Sequence, residues 1–359
     1  INEDNVVVGS RLTGIGGGKV SWRWSPEDGL ETLEVPWPGD DEPVDINDNG
    51  IMLGTVRTNS SKFSWLYDGD EYINIGFVQD AEKTNATAIN DAGEITGISV
   101  DQHTGFIEAF LGSAGELIGL YDEVGGGELN RGLDITHNGM LAGWRLKTIP
   151  GNEISFVYDY EEETLIDIGS PPGDVPRLAT AINESGEVIG GMLVIDQDGM
   201  EVHRSWYVVS PTATPVDMGI LPGFEANFEQ DINDRGVATG YSRLPPNGWQ
   251  PWVWLDGTMY DLANLLVEGT NIESLLEAYA INNAGNIALN AVVDGDPALV
   301  VLSPVDPPQA DITGDCAVDV SDLLALIEAW GTNDEFADLD HDRNVAINDL
   351  LVLLEQWTG

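Results

Sequence analysis

Two stretches near the C-terminus place oxygen-bearing side chains at alternate positions, the arrangement that wraps a hard divalent cation. In the first, Asp311, Thr313 and Asp315 are followed by Asp319 and Asp322; in the second, Asp338, Asp340 and Asp342 are followed by Asp349. Counted from each leading Asp, these are positions one, three, five and twelve of a calcium loop, with Asp319 at nine and with Ala317 and Asn344 at seven, where a backbone carbonyl serves. The halves DITGDCAVDVSDLLALIEAW and DLDHDRNVAINDLLVLLEQW are offset by 27 residues and share Asp-Leu-Leu and Glu-x-Trp. Unrelated acidic helix caps would not repeat in register over such a length, so two Ca²⁺ are the expected cofactors. Position twelve falls at the start of a helix, Leu323 to Trp330 or Leu350 to Trp357, where the helix dipole also favours Asp. Position six normally takes Gly for a sharp turn. Here it holds Cys316 and Arg343, which predicts weaker binding in either loop.

These loops must be positioned by something, and the rest of the chain is a repeat. Ile1, Ile46, Ile89, Ile135, Ile182, Ile232 and Ile281 each open a variant of INDAGEITG, at intervals of 43 to 50 residues. An apolar residue, Asn, two small or polar residues, Gly and an apolar run read as strand, tight turn, strand. Asn bonds to its own backbone and Gly supplies positive φ. Copy one has Asn5 in place of the Gly and copy four has Thr136 in place of the Asn, and neither change is expected to break the turn. The cluster Asp45, Asn47, Asp48 and Asn49 has the donors of a calcium site, but such turns explain it without a metal. After each turn come an apolar strand, an aromatic strand (Trp22/Trp24, Trp65/Tyr67, Trp252/Trp254) and a shorter strand before Gly. With the strand leading into the next Ile-Asn, that makes four strands per unit, the period of a propeller blade. Seven phased hairpins predict seven blades over 1–303. The seam is expected to lack one or two strands, because no strand leads into Ile1 and none follows Leu302. Residues 304–310 form a Pro-rich linker, and 311–359 form a small all-α calcium-binding domain.

The balance of 62 acidic against 14 basic residues gives a net charge of -48, which argues against nucleic acid and anionic membranes as partners. No apolar run reaches the length of a membrane helix. Cys316 is the one cysteine, so no internal disulfide can form. An acidic chain opening on Ile1 reads as a secreted protein from which a leading segment has been removed.

The hairpin half of the repeat resembles the extracellular HAF-repeat proteins, whose unit couples Ala-x-x-Ile-Asn-x-x-Gly-x-x-x-Gly to a His-Ala-Phe strand. Of that second motif only Glu108-Ala109-Phe110-Leu111 is close. The resemblance covers 1–304 and implies an extracellular or cell-surface propeller without an assigned catalytic residue. The tail resembles a type I dockerin over Asp311 to Trp357, and Asp rather than Glu at position twelve agrees with this. In dockerins, loop positions ten and eleven meet cohesin; here they are Val320, Ser321, Ile347 and Asn348. The resemblance therefore implies a protein partner, either a cohesin-like domain or a neighbouring copy.

Weaker signals carry little chemistry. Gly14 to Gly18 and Gly125 to Gly127 do not lie between a strand and a helix, so they are loops rather than phosphate cradles. His103, His137, His203 and His341 show no metal spacing and read mostly as exposed loop residues. The alternating aromatics read as core before they read as sugar platforms. The leading expectation is a secreted, non-enzymatic binding or scaffold propeller attached through a calcium-dependent dockerin-like module. The rivals are a self-assembling filament or surface-structure subunit, a homopolymer joined through the seam or tail, and a carbohydrate-active enzyme of a cellulosome-like system.

Overall fold

The computed structural model describes the chain apart from residues 14–17, 59–60, 102, 104, 125–128, 147–152, 170–175, 196–198, 245–247, 268, 306–309, 311, 314–317, 319, 333, 335, 341–342 and 358–359. The chain divides into two compact units, one of Ile1–Leu266 with Asn271–Ser303 and the other of Val267–Thr270 with Pro304–Gly359. The first unit is a seven-bladed β-propeller. Its seven antiparallel sheets span 7–32, 40–74, 81–119, 130–167, 176–217, 226–261 and 272–302. Blades two to six have four strands. Blades one and seven have three each, blade one lacking the first strand of the pattern and blade seven the fourth. The four-strand unit expected from the repeat thus holds for five blades, and among the described residues the two blades at the seam have three strands each.

The glycine that closes each of the first six Ile-Asn stretches has a packing cause. Gly9, Gly54, Gly97, Gly143, Gly190 and Gly240 pair across the sheet with Trp22, Trp65, Phe110, Phe156, Trp206 and Trp252. The ring lies flat on the glycine: a Cβ at Gly54 would sit 2.1 Å from Trp65 Cζ2, and one at Gly190 2.4 Å from Trp206 Cζ2. In blades two to six these aromatics are wholly buried and fill the space between neighbouring blades. Blade seven changes both partners at once, to Leu289 and Val300. The expectation that the aromatics are core is thus met in blades two to six.

Each first strand of blades two to seven carries a β-bulge just before its Ile. The extra residue lets two successive side chains face one way. As a result Val44/Asp45, Thr87/Ala88, Leu133/Asp134, Thr180/Ala181, Gln230/Asp231 and Tyr279/Ala280 all line the central channel.

The second unit holds two α-helices, α1 (Val320–Glu328) and α2 (Ile347–Glu355). Both begin three residues before the expected starts, so loop positions ten to twelve belong to their first turns. Val318, Leu326, Leu339, Val345 and Leu353 form the core between them. Val345 is tied to the chain after α1 by Gly331 N donating to Val345 O at 2.8 Å and Val345 N donating to Thr332 O at 2.9 Å.

Candidate functional site

At one mouth of the channel the Ile-Asn turns form a ring of side-chain links interrupted once, between blades four and five. Asn2, Asn47, Asn90, Asn183, Asn233 and Asn282 are buried, and each Oδ1 accepts the N–H four residues on in its own turn at 2.9–3.0 Å. Each Nδ2 donates to the backbone carbonyl of the matching residue in the next blade at 2.9–3.1 Å, and Asn282 closes the circle onto Asn2. Thr136 keeps the local half, its Oγ1 accepting from Met140 N, but it has no amide to pass on to blade five. Asn5 takes φ 61° in place of the glycine, as its side chain allows. Every Ile-Asn therefore staples its own hairpin and its neighbour's.

Outside this ring the following residue repeats the scheme with acids. The backbone N–H of Glu3 donates to Asp48, Asp48 to Asp91, His137 to Glu184, Glu184 to Asp234, Asp234 to Asn283 and Asn283 to Glu3. Together they rim a cavity of about 420 Å³. Asp48 and Asn49 are thus spent on the neighbouring blade rather than on a shared metal, Asn49 Nδ2 donating to Asp91 O.

Deeper in the channel, carboxylates appear on alternate blades. Asp45, Asp134 and Asp231 each accept the N–H of their own Ile on one oxygen and that of the next blade's Ile on the other, all at 2.8–2.9 Å. Burial in the channel wall raises all three. Asp134 is pushed up to about 8, its two bonded N–H groups being outweighed by burial and by the charges of Asp231 and Asp45. Asp231 is pushed up to about 6, and Asp45 rises as well. Blades three, five and seven have Ala88, Ala181 and Ala280 at this place. The sequence reading missed this staple, although the alternation VDIN, TAIN, LDIT, TAIN, QDIN, YAIN is visible in the letters. Buried Glu229 is also raised by burial, against the pull of nearby His203. Its oxygens accept from the Thr180 and Ser205 hydroxyls, so it ties blade six to blade five. His203 is accordingly no loop residue: it lies in a strand of blade five and its Nδ1 meets Asn227 O at 2.6 Å.

In the second unit, the loop ahead of α2 brings Asp338, Asp340 and Asp349 together, with ligand oxygens all within 4.8 Å of one another. Asp349 is wholly buried on the first turn of α2. Burial pushes its carboxyl up, but the N–H groups of Ala346, Asp340 and Leu339 outweigh this and hold it below the usual range. Arg343 takes φ 72°, so the left-handed turn expected of a glycine at position six is made by an arginine. Its N–H donates to Asp338 at 2.7 Å. In the first loop Thr313 donates through both N–H and Oγ1 to buried Asp322 at 2.9 Å. Asp311, Asp315, Ala317, Asp319 and Asp342 lie outside the described residues, as do Cys316 and His341. Asn344 is exposed.

Val320, Ser321, Ile347 and Asn348 are exposed on the first turns of the helices. They continue into two apolar stripes that the sequence reading passed over. Val320, Leu324 and Ile327 on α1 are 59%, 61% and 53% exposed; Ile347, Leu351 and Leu354 on α2 are 57%, 53% and 51% exposed. The stripes are i, i+4, i+7 sets at matching places in the two halves, a spacing that lays all three side chains on one helix face.

No family model and no curated protein matches the chain. Solved structures do. The β-propeller domain of the trilobed protease from Pyrococcus furiosus is 10% identical with a TM-score of 0.48, covering 72% of this chain and 82% of that one. A putative TolB from Agrobacterium tumefaciens is 10% identical with a TM-score of 0.48, covering 77% and 94%. An oligogalacturonate lyase in complex with manganese is 10% identical with a TM-score of 0.54, covering 85% of this chain and 87% of that one. At such identities the likeness is one of fold.

Proposed function

We propose that this chain is an extracellular or cell-surface binding propeller attached to a protein partner through its C-terminal module, whose two loops bind Ca²⁺. The matched apolar stripes of α1 and α2 carry the reading. A helix in water normally turns such residues inward, and a contiguous exposed apolar face marks an interaction site. Calcium is supported by the donor set. Three carboxylates within 4.8 Å repel one another unless a cation sits among them, and oxygens at about 2.4 Å from Ca²⁺ span distances of this order. In the first loop Thr313 and Asp322 hold the matching places. The resemblance of the tail to a dockerin points to a cohesin-like domain as the partner. The channel carboxylates of Asp45, Asp134 and Asp231 are each occupied in joining two blades, which favours a binding role for the propeller over a catalytic one.

The test is surface plasmon resonance of the full chain against purified cohesin domains, in calcium and in chelator. Binding in calcium that is lost in chelator, and weakened at least about tenfold by L324D or L351D, is expected; tenfold corresponds to about 1.4 kcal/mol. Binding that ignores both substitutions would overturn the reading.

A further inference from the structure

The chain contains Asn49-Gly50, Asn138-Gly139 and Asn247-Gly248; Asn247 lies outside the described residues. Before a glycine, the side-chain amide of Asn is open to attack by the next backbone nitrogen, because Gly has no side chain to obstruct the approach. Asn49 and Asn138 hold the same place in the hub turns of blades two and four, and those turns match bond for bond. Gly50 N donates to Asn47 O and Gly139 N to Thr136 O, both at 3.0 Å. Ile51 N donates to Asn47 Oδ1 at 2.9 Å and Met140 N to Thr136 Oγ1 at 3.0 Å. The two glycines take φ 77° and 76°, and both asparagines are exposed.

They differ in what holds the amide. Asn49 Nδ2 donates to Asp91 O of blade three at 2.8 Å. The matching acceptor for Asn138 would be the carbonyl of Glu184 in blade five, yet among the described residues the Asn138 amide has no hydrogen-bond partner. This is the junction at which Thr136 also leaves out the link between turns. To react, the amide must swing until its Cγ stands over the glycine nitrogen; Asn49 has a hydrogen bond to break first and Asn138 has none. The bond on the glycine nitrogen is the same in both turns and slows both alike. We propose that Asn138 is a site of spontaneous covalent modification, deamidating through a cyclic imide in the folded protein while Asn49 is spared. The backbone nitrogen of Gly139 gives up its proton and attacks Cγ of Asn138; the N–Cγ bond forms, the Cγ–Nδ2 bond breaks, and the amide nitrogen leaves as ammonia with that proton. Water then opens the imide at either carbonyl, leaving aspartate or isoaspartate. Either product adds a carboxylate to the rim between Asp91 and Glu184. Isoaspartate also lengthens the backbone beside His137, whose N–H donates to Glu184 at this junction.

The test incubates the full chain at mildly alkaline pH, folded and in urea, and follows the peptides carrying Asn49 and Asn138 by mass spectrometry, with isoaspartate read by enzymatic methylation. In urea the two should convert at similar rates, since nothing tethers either amide. In the folded chain Asn138 should convert about fivefold faster than Asn49, the factor that one hydrogen bond of ordinary net worth supplies. A more acidic form should appear on anion exchange in step with the conversion, and N138Q should not form it. Equal folded-state rates at the two sites would overturn the proposal. So would a folded chain in which Asn138 stays intact while the same peptide converts in urea, or an acidic form that N138Q still produces at the same rate.

Discussion

At the residue scale, the asparagine of each Ile-Asn turn serves two blades at once, and this sets what its loss costs. N90A would strand the half-buried N–H of Glu94 and the buried carbonyl of Thr136, so a loss of about 1–3 kcal/mol is expected from urea unfolding. The reverse change is predicted at the gap in the ring. T136N adds the missing donor toward blade five and should stabilise by about 1 kcal/mol. The glycine under each aromatic gives a third test. G54A drives a Cβ into Trp65, with an expected loss of about 1–3 kcal/mol, and W65V in the same chain should return part of it, because touching residues are not additive. Blade seven, with Leu289 over Val300, shows such a paired change already accommodated. The hairpin chemistry of Asn and Gly was legible in the letters because a turn is a local affair. The use of the same Asn by the next blade, 43 to 50 residues away, was not, because no local pattern encodes it.

At the element scale, the first strands owe their inward-facing acids to a bulge. Asp134 holds a proton in the folded state up to about pH 8, whereas its ordinary value is 3.8. The folded state therefore binds more protons than the unfolded chain between these limits. The stability it contributes is fully present below about pH 4 and lost as pH rises through about 8. Urea midpoints of the propeller should fall across this window, and D134N should flatten the fall; a profile unchanged by D134N would show that this staple does not titrate there. In the loop ahead of α2, Arg343 holds a left-handed turn at a cost of about 1 kcal/mol. R343G should tighten calcium binding at that loop, read by calorimetry. The grouping of Asp338, Asp340 and Asp349 was legible because oxygen-bearing side chains alternate in the chain. The helix stripes were passed over because α1 and α2 were expected to start three residues later, which leaves Val320 and Ile347 in the loops.

At the scale of the whole molecule, the Ile-Asn turns join blade seven back to blade one through Asn282 and Asn2, where among the described residues each blade has three strands. The seven-fold count follows from seven turns meeting at one mouth. No helix among the described residues is long and apolar enough to cross a membrane. The second unit has a small core around Leu326 and Leu353, and a core of that size is commonly reinforced by a metal, so the proposed Ca²⁺ would supply folding free energy. Two thermal transitions are expected, of which chelator should remove one. The central claim is that this unit is organised by calcium, and it is tested most directly by isothermal titration of the full chain with Ca²⁺ at physiological salt. The account predicts two ions bound, one fewer in D322N, one fewer in D349N and none in the double variant; a stoichiometry that ignores both substitutions, or no binding at all, would contradict it.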